Sequence, residues 1–201
     1  MPHPSSEPPT GLRDLARSSV RDHVADQARR LFDERGFDAT TIDDIAAAVG
    51  MSSRTFFRYF ATKEDVVVED PAPFGMVVRD AAAQRPDGES AWTALRRGFD
   101  PVAEKAGAAT ESWLRAMRVM MSTASLRARN AEKHNAWAVM LEPVITARLD
   151  GPQDTRQYRA RTLIQAALAC LDVALAEWTL RGGTIPLEVL LDEAFAAISE
   201  S

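Results

Sequence analysis

The stretch from Thr41 to Phe60 constrains the chain most, because it contains two complete short helices with their own start and stop signals. Thr41 is an N-cap with Asp44 three places on, and Ile42, Ile45, Ala46 and Val49 share one apolar face up to Gly50. Ser52 then caps a helix of barely two turns, Ser53 to Phe60. Two short helices joined across Gly50, Met51 and Ser52 make a helix-turn-helix.

Helical period extends along the whole chain, and no stretch alternates polar and apolar residues as a strand does, so an all-α fold is expected. The helix before the motif covers about Leu12 to Arg35, with Val24, Ala28, Leu31 and Phe32 on one face and Gly36 as its C-cap. After the motif, Thr62 opens a fourth helix with Asp65 in the capping-box position, and Pro71 and Pro73 kink or break it. Ser90 opens a fifth, bent near Pro101; Thr110 caps a sixth to about Met121, and Ser125 a seventh to about Leu149. The last two run from about Thr155 to Arg181 and from Pro186 to about Ser199. About nine helices result, divided into a proline-rich disordered arm over residues 1–11, a helix-turn-helix domain over 12–68 and a second domain over 69–201.

With 201 residues, 46% hydrophobic and 26% charged, the chain can bury a sizeable core. The apolar run at 166–176 is interrupted by Asp172 and falls short of the roughly 18 residues of a membrane span, so no membrane partner is expected. Residues 1–11 lack the apolar run of a secretory signal, and the single Cys170, set among Ala, Leu and Val, reads as a buried structural thiol of a cytoplasmic protein. The net charge of −5 gives no basic footprint for the whole molecule. From Ser52 to Lys63, however, Arg54, Arg58 and Lys63 occur with no acidic residue.

That stretch also explains its aromatics. Phe56 and Phe60, four apart, point into a core with Phe32, Ile45 and Val49, whereas Arg54, Phe57 and Arg58 fall together on the outward side. Ser53 and Thr55 lie near the exposed end, where a recognition helix meets base edges. An Arg fork suits guanine O6 and N7, and an exposed Phe suits thymine methyls. Thr41, Tyr59 and Lys63 suit phosphate oxygens that fix the register.

The run TTIDDIAAAVGMSSRTFFRYFATKEDVV at 40–67, with RLFDERGFDATT before it, closely resembles the DNA-binding motif of TetR-family transcriptional regulators. Many members carry a Gly before the Thr and a Tyr pair in the third helix; here Arg54, and Phe57 with Arg58, stand there, which bears on the operator sequence. The resemblance implies DNA contact by Thr41, Ser53, Arg54, Thr55, Phe57, Arg58, Tyr59 and Lys63, and a homodimer on a roughly palindromic double-stranded operator. It also implies a small-molecule effector and, most often, repression; an activator, or a helical carrier without DNA binding, are the alternatives.

In the second domain three stripes share helical spacing: Trp92, Leu95 and Phe99; Trp113, Met117, Met120 and Met121; and Trp137, Met140, Leu141 and Val144. Together they suit an adaptable cavity for a small apolar effector, with His134, one turn before Trp137, as its polar anchor; ordinary core packing is the competing reading. Leu163, Ile164, Leu168, Leu171 and Leu175, with Leu187, Leu191 and Phe195, read as a four-helix dimer interface or as intrachain core. No nucleophile and base, paired carboxylates, metal-ligand cluster or glycine-rich phosphate loop can be read, so neither an enzyme nor a cofactor is expected.

Overall fold

The computed structural model describes residues 11–68 and 71–199. The reading of residues 1–11 as a disordered arm therefore lies almost wholly outside the described residues. The chain divides into two units, Met1–Val66 and Val67–Ser201, and among the described residues every regular element is helical.

In the first unit, α1 (Leu12–Arg35), α2 (Ile42–Ala48) and α3 (Ser53–Phe56) are followed by a 3₁₀ turn over Glu64–Val66. Helix α1 ends where Gly36 takes φ +87° and its N–H bonds back to the Phe32 carbonyl. Val24, Ala28, Phe32, Phe37, Ile45, Ala46, Phe56 and Phe60 are buried. The Phe56 and Phe60 rings lie 5.3 Å apart, and those of Phe32 and Phe37 4.8 Å. The α3 helix is shorter than its expected extent to Phe60. Past Phe56 it tightens, with Arg58 N–H bonding to the Thr55 carbonyl and Tyr59 N–H to that of Phe56, which is 3₁₀ geometry.

The second unit holds α4 (Pro71–Ala83), α5 (Ala91–Gly98), α6 (Asp100–Ala108), α7 (Thr110–Ser122), α8 (Ala124–Ala147), α9 (Gln153–Leu180) and α10 (Leu187–Ser199). Two expectations change the helix count. The fourth expected helix is a 3₁₀ turn, and α4 is a separate helix described from Pro71 onward. The fifth breaks at Phe99, since Pro101 in its interior would lack an N–H and clash one turn back. Two caps also shift. Thr123, not Ser125, accepts the Leu126 N–H to open α8, and the Thr110 hydroxyl donates back to the Ala106 carbonyl instead of capping α7.

Helix α9 packs against α8, α10, α5 and α7 and is the axis of the unit's core. By length and composition it is apolar enough to cross a membrane, with a window of mean hydropathy 1.5, so the full helix exceeds what residues 166–176 suggest alone. Here Ile164, Ala167, Leu168, Cys170, Leu171, Ala174 and Trp178 are buried among neighbouring helices, and a core helix needs the same composition. Burial pushes the Cys170 thiol pKa above its ordinary value.

Two arginines tie the unit together. Arg96, buried on α5, meets Asp100 and Asp192 at 2.6 Å each and donates to the Glu188 carbonyl at 3.0 Å, joining α5, α6 and α10. Arg148, which caps α8, donates to the carbonyls of Pro86, Ala82, Ala83 and Arg85 at the end of α4. Arg148 thereby satisfies carbonyls that the end of α4 leaves unpaired, whereas Arg96 neutralises two carboxylates at the junction of three helices.

Candidate DNA interface

Helix α2 is opened by a reciprocal cap. Asp44 N–H donates to Thr41 Oγ at 3.1 Å, while Thr41 N–H and Oγ–H both donate to Asp44 Oδ2, at 2.8 and 2.6 Å. The Thr41 hydroxyl, then its backbone N–H, hold the Asp44 carboxyl below its ordinary pKa. Ser52 opens α3 in the same manner, accepting the Thr55 N–H at 3.2 Å, and the Ser52 and Thr55 hydroxyls are 3.0 Å apart.

Phe56 and Phe60 face the core, and the remaining side chains of the segment divide around them. Arg54, Phe57 and Arg58 are exposed, Phe57 to 53%. Burying two rings four residues apart turns Arg54 and Arg58 outward, next to an uncovered phenyl edge. The Arg58 guanidinium lies 5.9 Å from the Tyr59 ring centroid. A fork of donors beside an exposed ring is the chemistry that reads guanine and thymine edges.

Other residues of the expected contact set have different partners. Ser53 is half-buried, and its hydroxyl donates to Asp43 Oδ1 on α2. Lys63 turns inward: its Nζ donates to the Phe37 and Thr40 carbonyls at 2.7 and 3.0 Å and lies 4.2 Å from the Phe37 ring centroid. Thr41 has its hydroxyl proton engaged by Asp44. Lys63 and Thr41 thus also hold the α1–α2 turn and the α2 cap, and the Lys63 ammonium has one N–H beyond its two carbonyl partners. Arg21 was not singled out from sequence; its guanidinium sits 4.7 Å over the Phe60 ring and donates to the Tyr59 carbonyl, fixing the end of the motif. A basic residue one turn before the buried Val24 and Ala25 was its faint signal.

The aromatic stripes of the second unit divide into two groups. Trp92 stacks on Phe195 at 4.5 Å and donates its indole N–H to the Phe195 carbonyl at 3.3 Å, while Phe99 meets the same ring at 6.2 Å. Both rings pack against Phe195, joining α5 and its C-cap to α10. Trp137 lies instead 5.9 Å from Phe74 of α4 and 5.8 Å from His134. Its indole reaches the α4 backbone because residue 75 is glycine; a Cβ there would come within 2.7 Å of Trp137 Cδ1. His134 and Leu141 are buried, and His134 Nδ1 is 3.3 Å from Asp172 Oδ2. Met120 is buried, and Trp113, Met117 and Met121 are half-buried.

The expected interface residues also turn inward. Ile164, Leu168, Leu171, Leu187, Leu191 and Phe195 are buried within their own unit, and Leu163 and Leu175 pack half-buried against them. A side chain wholly enclosed by its own chain has no surface left for a partner, so the six buried residues are core, while Leu163 and Leu175 keep part of their surface exposed. The apolar side chains left outside on these helices are Tyr158, Val173 and Leu180 on α9, and Val189 and Ile198 on α10. Tyr158, Thr162, Gln165, Ala169, Val173 and Leu180 follow one another at helical spacing.

Comparison with known proteins accounts for both units. Residues 24–69 match the model of bacterial regulatory proteins of the tetR family, and residues 89–201 match the MftR C-terminal domain. The chain is 30% identical to the HTH-type transcriptional regulator TcmR of Streptomyces glaucescens, over 87% of this chain and 79% of that one. It is 28% identical to the putative mycofactocin biosynthesis transcriptional regulator MftR of Mycobacterium tuberculosis, over 98% and 96%. Among solved structures, the TetR-family repressor FadR of Thermus thermophilus in complex with lauroyl-CoA is 25% identical with a TM-score of 0.53, covering 88% of this chain and 91% of that one. With its capped helix-turn-helix and its all-helical second unit, the chain belongs to the TetR family of transcriptional regulators.

Proposed function

We propose that the chain is a homodimeric, cytoplasmic repressor that binds a roughly palindromic operator and is released by a small apolar effector. The observation that carries DNA reading is the outward display of Arg54, Phe57 and Arg58 above a core of Phe56 and Phe60. Arg54 and Phe57 are the base-reading groups, joined by Thr55. Arg58 and Tyr59 meet the phosphates. One short helix makes few contacts, so two copies about 34 Å apart, in successive major grooves, supply the affinity.

The exposed stripe of Tyr158, Val173 and Leu180, with Val189 and Ile198, is the surface by which two copies pair, and Ala169 allows close helix approach. The effector site is assigned to the α7 and α8 side chains Trp113, Met117, Met120, Met121, Trp137 and Leu141, with His134 as the polar group. Flexible thioethers and broad indoles adapt to an apolar guest. An effector that favours the conformation unable to bind DNA lowers operator affinity by about 5 to 150-fold for a coupling of roughly 1–3 kcal/mol.

Selection of genomic fragments by the full-length protein supplies the operator for the test. Arg54→Ala is expected to weaken binding to that operator by about 1–3 kcal/mol while sedimentation still shows a dimer. Unchanged operator affinity removes Arg54 from the reading surface.

A further inference from the structure

Resting on the operator-binding role proposed above, we infer that Asp43 and Ser53 form a second reading element, an acceptor pair that recognises the exocyclic amino group of a cytosine or adenine beside the base read by Arg54. A serine hydroxyl has one proton to give and lone pairs to receive, whereas an ionised carboxylate only receives. Ser53 gives its proton to Asp43 Oδ1. What remains at Ser53 Oγ is therefore acceptor capacity, next to the carboxylate oxygens of an exposed Asp43.

The neighbouring hydroxyls spend their acceptor capacity on helix caps: Ser52 accepts the Thr55 N–H and pairs with the Thr55 hydroxyl, and Thr41, which also gives its proton to a carboxylate, accepts the Asp44 N–H. Ser53 opens α3 and Arg54 follows it, so a patch of pure acceptors adjoins a fork of pure donors. In the major groove the donors are cytosine N4 and adenine N6, while guanine O6 and N7 and thymine O4 accept. A carboxylate facing one of those acceptors is repelled. Asp43 thus selects twice, by accepting from an amino group and by rejecting a base edge that lacks one. It also repels phosphates, which lowers affinity for unrelated DNA.

The test compares full-length wild type, Asp43→Asn and Ser53→Ala on duplexes randomised at each operator position, with circular dichroism confirming that each variant is folded. Asparagine keeps the size of Asp43 but adds donors and removes the charge. Both variants are expected to lose about tenfold of the preference at one position in each half-site, distinct from the position altered by Arg54→Ala. Asp43→Asn should also bind unrelated DNA more tightly than wild type. Pyrimidin-2-one in place of cytosine, and purine in place of adenine, delete the amino group alone; whichever weakens wild type but not Ser53→Ala names the base. A base profile untouched by both folded variants overturns the acceptor pair while leaving the operator role standing. Wild type that prefers no sequence at all overturns the operator role itself.

Discussion

The two units treat their apolar residues in opposite ways. In the first, four aromatic side chains within five residues are shared between inside and outside, with Phe56 and Phe60 buried, Phe57 exposed and Tyr59 between them. In the second, the long helix α9 puts Ile164, Leu168, Leu171 and Trp178 into its own core and leaves Tyr158, Val173 and Leu180 outside. Aromatic richness in one short segment therefore means contact surface in the first unit, whereas most of the buried apolar length of α9 means packing in the second. The deciding variable is how many neighbouring helices compete for the element: among the described residues α3 lies against α2, whereas α9 is packed by four helices.

The largest expected effect strains the inside half of this comparison. Phe56→Ala removes a ring with no exposure and should destabilise the first unit by about 3–5 kcal/mol, read as an early melting transition that Phe57→Ala lacks. Equal losses from the two substitutions would erase the distinction between core and contact aromatics. Next is Gly75→Ala, whose Cβ would meet Trp137 Cδ1 at 2.7 Å and Met140 Sδ at 2.9 Å. We expect a loss of about 1–3 kcal/mol from overpacking, partly recovered when Trp137→Phe is added. Additive losses in the double variant would show that the indole is not the obstacle.

Lys63→Met sharpens the division within the first unit. Because Lys63 is engaged by the Phe37 and Thr40 carbonyls, the expected loss is about 1–2 kcal/mol of stability with the salt slope of operator binding unchanged. Arg58→Ala should do the reverse, lowering the slope by about one with little change in melting. The smallest effect concerns acid. The Asp44 pKa is lowered in the folded chain, so its cap stabilises α2 above the ordinary value of 3.8 and is lost as pH falls through the lower folded value. Thr41→Val should make helix content in the first unit less sensitive to acid in that window, followed by circular dichroism.

Much of the first unit was legible because its signals are local. Thr41 with Asp44, Ser52 and Gly36 are each read within four residues, and the spacing of Phe56 and Phe60 separates inward from outward. Partners distant in sequence were not legible: Arg21 on the Tyr59 carbonyl, Lys63 on Phe37 and Ser53 on Asp43 all depend on how the helices cross. In the second unit the helix positions were readable, but not the use of each face. Leu168 and Val173 are both apolar residues of α9, and only the placement of α8 and α10 makes one core and leaves the other exposed. Trp92 and Trp137 were grouped by composition, yet Phe195 and Phe74, remote in sequence, separate them.

Arg148 carries a consequence for motion. The last carbonyls of α4 are held by a side chain belonging to the end of α8, so that terminus of α4 cannot fray unless α8 lets go. Amide hydrogens at the two helix ends should then exchange with solvent together, as one opening event, and Arg148→Ala should let α4 exchange first and alone.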